Sequence, residues 1–212
     1  MKLYGYWRSS AAYRVRIAMH LKGLAFESIP VHLVKDGGQQ HSEDYVELNP
    51  NHLVPTFIDE DVKLNQSIAI IDYIEQKYPE VALYPNELAS KAIVQAMALD
   101  IACEVHPINN LRVQQYLVNN LAVDDKQKQA WVNDWISLGF NAFEKTLAQH
   151  SGKYCYKDQI TVADLCLIPQ VYNAQRFGID MTLYPNICRV VDNCLAHPAF
   201  IAALPENQAD AL

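Results

Sequence analysis

The stretch Trp7-Arg8-Ser9-Ser10-Ala11-Ala12-Tyr13-Arg14-Val15-Arg16-Ile17-Ala18 determines how this chain begins to fold. It joins a short aromatic strand, predicted over Leu3 to Trp7, to a helix that we expect to end at Gly23. Two serines lie at the junction, where the first helical turn leaves backbone N–H groups without partners. Such a helix end attracts an anion or a thiolate, because the free donors and the helix dipole favour negative charge. Simple capping by Ser9 or Ser10 explains the same residues.

Composition restricts the possible partners of the chain. It has 212 residues, of which 50% are hydrophobic and 19% are charged, and its formal net charge is -7. These values are typical of a globular protein with one large domain or two modest ones. The negative charge argues against nucleic acid or an anionic membrane as a partner. An acidic substrate would therefore need a local cluster of cations.

The cysteine pattern and the first residues indicate a cytoplasmic protein. The five cysteines are odd in number and show no CxxC spacing, so we expect reduced thiols and no metal site. Met1 and Lys2 run directly into a strand, and nothing resembles a signal peptide. No apolar run approaches the roughly 20 residues needed to span a bilayer.

Periodicity divides the chain into two domains. We predict an α/β domain over residues 1–80 and an all-α domain over residues 88–212, joined by a proline-containing linker. In the first domain, Ser67 is expected to cap a helix that ends near Tyr78. The further predicted strands are Phe26 to Leu33, Pro55 to Ile58 and Val62 to Leu64.

Two helical patterns stand out in the second domain. One long helix is expected to bury an apolar face made of Trp131, Trp135, Leu138, Ala142 and Phe143. A second helix begins after Thr161, with Asp164 reaching back in a capping box. That local role explains Asp164 fully, so we do not assign it to catalysis.

Four pieces of the sequence together resemble the cytosolic glutathione transferases, and two of these pieces are similar to the zeta class in particular. The pieces are Arg8 to Ala18; Asn49-Pro50 with Leu53-Val54-Pro55-Thr56; Asn65 to Ile70; and His106 to Arg112 with Thr161 to Gln170. The resemblance extends over essentially the whole chain. It implies a thioredoxin-like α/β N-terminal domain followed by an all-α C-terminal domain.

The resemblance also implies an activity. Zeta-class enzymes use glutathione as a cofactor for cis-trans isomerisation of maleylacetoacetate to fumarylacetoacetate, a step of tyrosine and phenylalanine catabolism. They are homodimers, so we expect a homodimer here. Where many zeta-class enzymes carry a cysteine after the two serines, this chain has Ala11, so a protein thiol has no expected role.

Ser9 and Ser10 are the expected catalytic residues. A serine is too weak an acid to act as a base at neutral pH, so its role is to donate a hydrogen bond to the glutathione sulfur. Ser9 is the main candidate and Ser10 supplies a second hydroxyl. A tyrosine-type transferase using Tyr4 or Tyr6 is the rival hypothesis.

The remaining cofactor contacts follow from the resemblance. Gln66 and Ser67 begin a helix suited to the γ-glutamyl carboxylate of glutathione. Val54, before an expected cis proline, offers its backbone to the cysteinyl part. Gln40 corresponds to a position near the glycyl end, although a solvated loop glutamine fits equally well. His106 and Asn110, on a helix expected to kink at Pro107, lie in a segment over the cleft.

A dicarboxylate substrate favours arginine, whose planar fork binds a carboxylate through two hydrogen bonds. Arg8 and Arg176 are the leading candidates and Arg112 is the third. Arg14 and Arg16 are expected to form ion pairs or to line a dimer surface. The alternatives are a maleylpyruvate isomerase, a broad conjugating transferase or dehalogenase, and a non-catalytic interaction module.

Overall fold

The first helix begins at the serine pair. In the computed structural model, which describes residues 1–211, strand β1 is Lys2–Gly5 and helix α1 is Ser10–Leu21. Gly23 ends the helical segment with a φ of +64°, a conformation that glycine adopts without steric cost. Helix α1 is buried on nearly all sides, including Arg14 and Arg16.

The first unit is built on a four-stranded mixed sheet. Strand β2 (Glu27–Pro30) runs parallel to β1, whereas β3 (Thr56–Asp59) pairs with β1 antiparallel and forms a hairpin with β4 (Val62–Asn65). The strand order is β2-β1-β3-β4. The hairpin prediction is confirmed, while β1 and β2 are shorter than the sequence indicates.

Two further helices complete this part of the unit. Helix α2 (Glu43–Leu48), which we did not predict, begins after Ser42, whose hydroxyl accepts a hydrogen bond from Tyr45 N at 3.4 Å. Helix α3 (Ser67–Lys77) follows β4. The capping prediction for Ser67 is wrong: Gln66 is the residue before the helix, and Ser67 is its first residue.

The second unit is entirely helical apart from short turns. Its helices are α4 (Leu88–Leu99), α5 (Leu111–Asn119), α6 (Asp125–His150), α7 (Val162–Arg176) and α8 (Pro185–Leu195). A π-helical turn (Asp100–Val105) and a 3₁₀ turn (Pro107–Asn109) separate α4 from α5. His106 and Arg112 therefore do not share one kinked helix, because Asn110 caps a new helix instead.

The buried face of α6 differs from the predicted one. Its buried residues are Val132, Ile136, Phe140, Phe143 and Leu147. Of the predicted face, Phe143 is buried, but Leu138 is 61% exposed and Ala142 is also exposed. The observed buried face is thus rotated about the helix axis relative to the predicted one, because large apolar residues occur on more than one side of α6.

The last helix belongs to the first unit. Residues Met1–Leu83 and the segment from Ala196 onward form the first unit by their mutual contacts. Residues Tyr84–Leu195 form the second unit. Helix α9 (Pro198–Ala203) packs on α1, and Arg16 Nε donates to the Ala203 carbonyl at 3.2 Å. The second domain, which the sequence predicts over residues 88–212, therefore ends before Ala196. Within residues 1–211, no helix is long and apolar enough to cross a membrane.

Candidate functional site

Ser9 caps α1 with its side chain. Its Oγ accepts a hydrogen bond from Ala12 N at 3.2 Å, and its backbone N–H donates to Tyr6 O at 2.9 Å. Ser9 is half-buried and Ser10 is buried. Because the Ser9 oxygen acts as the acceptor toward Ala12, its hydroxyl proton can be donated to a ligand. The capping role and the donor role therefore use different parts of one hydroxyl group.

A second helix start lies on the same unit. Gln66 has φ 67° and ψ 111°, a sparsely populated conformation for a residue with a side chain. No side chain caps α3, so the amides of its first turn are not engaged by Gln66. Such a helix start fits a carboxylate. Strained backbone conformations of this kind cluster at functional sites.

Arg14 connects the two helix starts. Its Nη1 donates to Ser67 Oγ at 3.2 Å, and the arginine side chain is almost completely buried. The sequence predicts that Arg14 forms an ion pair or lines a dimer surface, and it does not predict the contact with Ser67. No local signal could have identified it, since 53 residues separate the two partners.

The Val54–Pro55 peptide bond is cis, as the resemblance implies. The preceding carbonyl, Leu53 O, accepts hydrogen bonds from Tyr45 Oη at 2.6 Å and from Asn49 Nδ2 at 2.8 Å. This turn is therefore fixed by Tyr45 of α2 and by Asn49, the residue that follows α2. Val54 itself is half-buried and lies two residues before the start of β3.

Gln40 is buried and is not a solvated loop residue. It lies in a 3₁₀ turn (Gln39–His41), and its Nε2 donates to Leu33 O at 3.2 Å. The same Nε2 lies 3.1 Å from His41 Nε2, and His41 Nδ1 lies 3.0 Å from His52 Nδ1. Gln40 Oε1 is buried without a hydrogen-bond partner in the described structure. A buried amide oxygen of this kind requires a donor, which is consistent with a ligand site close to this turn.

Arg8 is held by two aromatic rings. Its guanidinium carbon lies 4.6 Å from the Trp7 ring centroid and 5.9 Å from that of Tyr6, and Nη2 donates to Tyr6 Oη at 3.2 Å. These contacts orient the planar fork without neutralising its charge. They also engage Tyr6, one of the two residues of the rival tyrosine hypothesis.

The other predicted site residues lie in the helical unit. Asn110 caps α5, where its Oδ1 accepts from Arg112 N at 3.2 Å. The Arg112 side chain is exposed, and His106 is half-buried between the π-helical turn and the 3₁₀ turn. Arg176 is exposed at the end of α7, where Nη1 donates to Asn173 Oδ1 at 3.0 Å. Arg176 also lies 5.5 Å from the Phe177 ring centroid.

Asp164 has the structural role that its sequence pattern predicts. Its Oδ2 accepts from Thr161 N and its Oδ1 from Cys155 N, both at 2.8 Å. The carboxyl is completely buried, and burial raises its pKa above the ordinary value. Burial likewise raises the pKa of the Cys155 and Cys188 thiols. A raised pKa disfavours the thiolate form of Cys155 and Cys188.

Comparison with known proteins identifies the family. Residues 1–76 match the model of the glutathione S-transferase N-terminal domain, and residues 112–205 match that of the C-terminal domain. A Vibrio cholerae protein named probable maleylacetoacetate isomerase is 50% identical over 99% of this chain and 97% of its own length.

Solved structures give the same result. The holo structure of maleyl pyruvate isomerase, described as a bacterial zeta-class glutathione S-transferase, has a TM-score of 0.97 and 41% identity over the full length of both chains. A maleylacetoacetate isomerase from Methylobacterium extorquens AM1, with bound malonate and GSH, has a TM-score of 0.96 and 36% identity, again over both full chains. This chain therefore belongs to the zeta class of the glutathione S-transferase family.

Proposed function

We propose that this enzyme is a glutathione-dependent cis-trans isomerase that converts maleylacetoacetate to fumarylacetoacetate. The relatives named above support this activity. The structural observation that carries the proposal is the Ser9 hydroxyl, which caps α1 and still has a proton to donate. The predictions for the dicarboxylate substrate and for the individual site residues remain proposals.

Glutathione, when bound, would supply a thiolate nucleophile for the conjugated double bond and would not be consumed in the isomerisation. Ser9 donates a hydrogen bond to the sulfur, and the N-terminal end of α1 favours its negative charge. Ser10 supplies a second hydroxyl. Gln66 and Ser67 hold the γ-glutamyl carboxylate at the start of α3, and the Val54 backbone pairs with the cysteinyl part.

Arginines hold the substrate carboxylates in this proposal. Arg8 presents a fork that is already oriented by Trp7 and Tyr6, so little side-chain entropy is lost on binding. Arg176 and Arg112 are the candidate substrate anchors from the helical unit. His106 and Asn110 are the candidates in the same unit for further contacts with glutathione. A fixed cation also stabilises negative charge that develops on the substrate during the reaction.

Maleylpyruvate is the second candidate substrate. It is favoured by the likeness to a solved maleyl pyruvate isomerase, which has the higher TM-score of the two structures compared. The same serine and arginine chemistry serves a shorter dicarboxylate. The two activities therefore differ only in the length of substrate that the enzyme accepts.

We further infer a cytoplasmic homodimer in which the first domain holds glutathione and the helical domain holds the substrate. The five free cysteines support a reducing compartment. A pairing with two-fold symmetry is the commonest assembly of identical chains. Residues 1–80 carry most of the proposed cofactor contacts, and residues from 88 onward carry His106, Asn110, Arg112 and Arg176.

The test follows the absorbance of the maleyl diketo acid with and without a catalytic amount of glutathione. An isomerase converts many equivalents of substrate while the total glutathione concentration stays constant. Running maleylacetoacetate and maleylpyruvate in parallel identifies the preferred substrate. Stoichiometric loss of glutathione would instead show a conjugating transferase or a dehalogenase, and binding without turnover would show a non-catalytic module.

A further inference from the structure

The backbone of Trp7 is held from two sides. Its N–H donates to Asp210 Oδ2 at 3.0 Å, and its carbonyl accepts from Arg16 Nη2 at 2.9 Å. Asp210 belongs to the C-terminal tail, which we define as residues 205–211. Trp7 directly precedes Arg8 and Ser9 in the chain. The C-terminal tail therefore contacts the loop that carries the proposed substrate anchor and the proposed thiolate donor.

The C-terminal tail is itself anchored. Gln208 Nε2 donates to Leu204 O at 2.8 Å and to Ala202 O at 3.0 Å, which fixes the tail to the end of α9. Arg16 binds both the Ala203 carbonyl and the Trp7 carbonyl, so one buried side chain spans the last helix and the active-site loop. The tail thus has a defined position from which Asp210 reaches Trp7.

The negative charge of Asp210 strengthens its hydrogen bond with the Trp7 N–H. Burial lowers the pKa of Arg16 to about 10, and the charges of Tyr13 and Asp210 partly oppose that shift. Arg16 remains a cation at neutral pH, and the half-buried side chain of Asp210 lies close enough to interact with its charge. A hydrogen bond from an amide to a carboxylate is roughly twice as strong as one between neutral groups. Asp210 is therefore a stronger acceptor for Trp7 than a neutral side chain would be.

The position of Trp7 has consequences for its neighbours. The Arg8 guanidinium stacks over the Trp7 ring, and Ser9 is bound through its amide to Tyr6, the residue before Trp7. A shift of the Trp7 backbone would move the support of Arg8 and the Ser9 hydroxyl together. A displacement of about 1 Å in such a site can reduce a rate by about 100-fold.

We propose that Asp210 is a positioning residue, which holds the Trp7 backbone so that Ser9 faces the glutathione sulfur and Arg8 faces the substrate. This inference rests on the proposed function for the identity of both ligands. It assigns to the C-terminal tail a role in catalysis at the opposite end of the sequence, 203 residues away.

The test compares Asp210→Ala and Asp210→Asn in the full-length chain, with Asp61→Ala as the control for loss of an exposed carboxylate elsewhere on the first unit. In Asp210→Ala we expect the pKa of the bound glutathione thiol to rise and kcat to fall by about tenfold. The ultraviolet absorbance of the thiolate, recorded against pH, measures the first effect. The asparagine variant keeps an acceptor oxygen and should recover part of the loss, and Asp61→Ala should behave like the wild type.

Two further measurements separate positioning from a general structural role. Binding of S-methylglutathione, which has no free thiol, should be unchanged in Asp210→Ala, because the Ser9 hydroxyl contributes little to it. Amide hydrogen exchange without any ligand should become faster at Trp7, Arg8 and Ser9 only. Loss of S-methylglutathione binding in parallel with kcat would overturn the proposal and show a structural role.

Unchanged exchange at Trp7, or a thiol pKa and kcat equal to those of the wild type, would also overturn it. Failure of the proposed function is recognised separately, because the wild-type enzyme would then not isomerise the maleyl diketo acid in the presence of a catalytic amount of glutathione. The exchange measurement still decides whether Asp210 holds the loop in that case.

Discussion

At the scale of single residues, we propose that Ser9 combines a structural and a chemical role in one hydroxyl group. The oxygen accepts from Ala12 N, and the proton is available to a ligand. The sequence left capping and thiolate binding as alternatives, whereas the geometry makes them compatible. The two roles can be separated by substitution, because a carboxylate caps a helix but repels a thiolate.

Ser9→Ala should reduce turnover by about 10- to 100-fold, since a hydrogen bond to a charged group contributes about 1.5–3 kcal/mol. Glutathione binding should change much less. Ser9→Asp is the matched control for the cap: it should retain the thermal stability of the wild type and still lose turnover. Near-normal turnover of Ser9→Ala would contradict the assignment and direct attention to Ser10 or Tyr6.

Arg8→Ala and Arg176→Ala should each lower kcat/KM for the dicarboxylate, because each should raise the activation free energy by about 1.5–3 kcal/mol. Conjugation of an uncharged electrophile should remain almost unchanged, because the thiolate site is not altered. Lysine at either position should recover only part of the loss, since it keeps the charge without the planar fork. Equal losses on charged and neutral substrates would mean that these arginines hold glutathione or the fold.

At the scale of secondary-structure elements, one partly buried ion pair joins the sheet to a helix. Asp59, at the end of β3, accepts from Lys77 Nζ at 2.7 Å and from Tyr73 Oη at 3.0 Å, and both donors lie on α3. The Lys77 hydrogen bond lowers the pKa of Asp59 below its ordinary value, against the opposing effect of burial. The contact therefore makes the stability of the first unit dependent on pH.

A folded-state pKa below the unfolded value stabilises the protein above that value, and this contribution is lost as the pH falls through the folded pKa. We expect the free energy of unfolding of the wild type to decrease more steeply below about pH 4 than that of Lys77→Met. Urea unfolding at several pH values measures this difference. Lys63→Met is the control, because Lys63 donates to the Glu47 carbonyl and not to a carboxylate. Parallel pH profiles for Lys77→Met and the wild type would contradict the prediction.

At the scale of the whole molecule, we expect a homodimer. Sedimentation at micromolar concentration should give about twice the mass of the 24.0 kDa chain. A species of monomer mass under these conditions would contradict the expectation. Turnover measured over the same concentration range shows whether assembly is needed for activity.

Local rules in the sequence determined the element types and several of their ends. The capping pattern of Thr161 and Asp164, the stop at Gly23 and the β3–β4 hairpin depend on residues close together in the chain, so they could be read directly. The serine pair at the start of α1 was found for the same reason. The assignment to a family came from several such local motifs taken together.

The tertiary structure decided what the local patterns could not contain. The burial of Gln40, the conformation of Gln66 and the position of α9 depend on contacts between distant segments. The same holds for the bonds from Arg14 to Ser67 and from Trp7 to Asp210, whose partners are separated by 53 and 203 residues. Helix periodicity and capping are fixed within a few residues, whereas the packing that completes this site is set by residues far apart in the sequence.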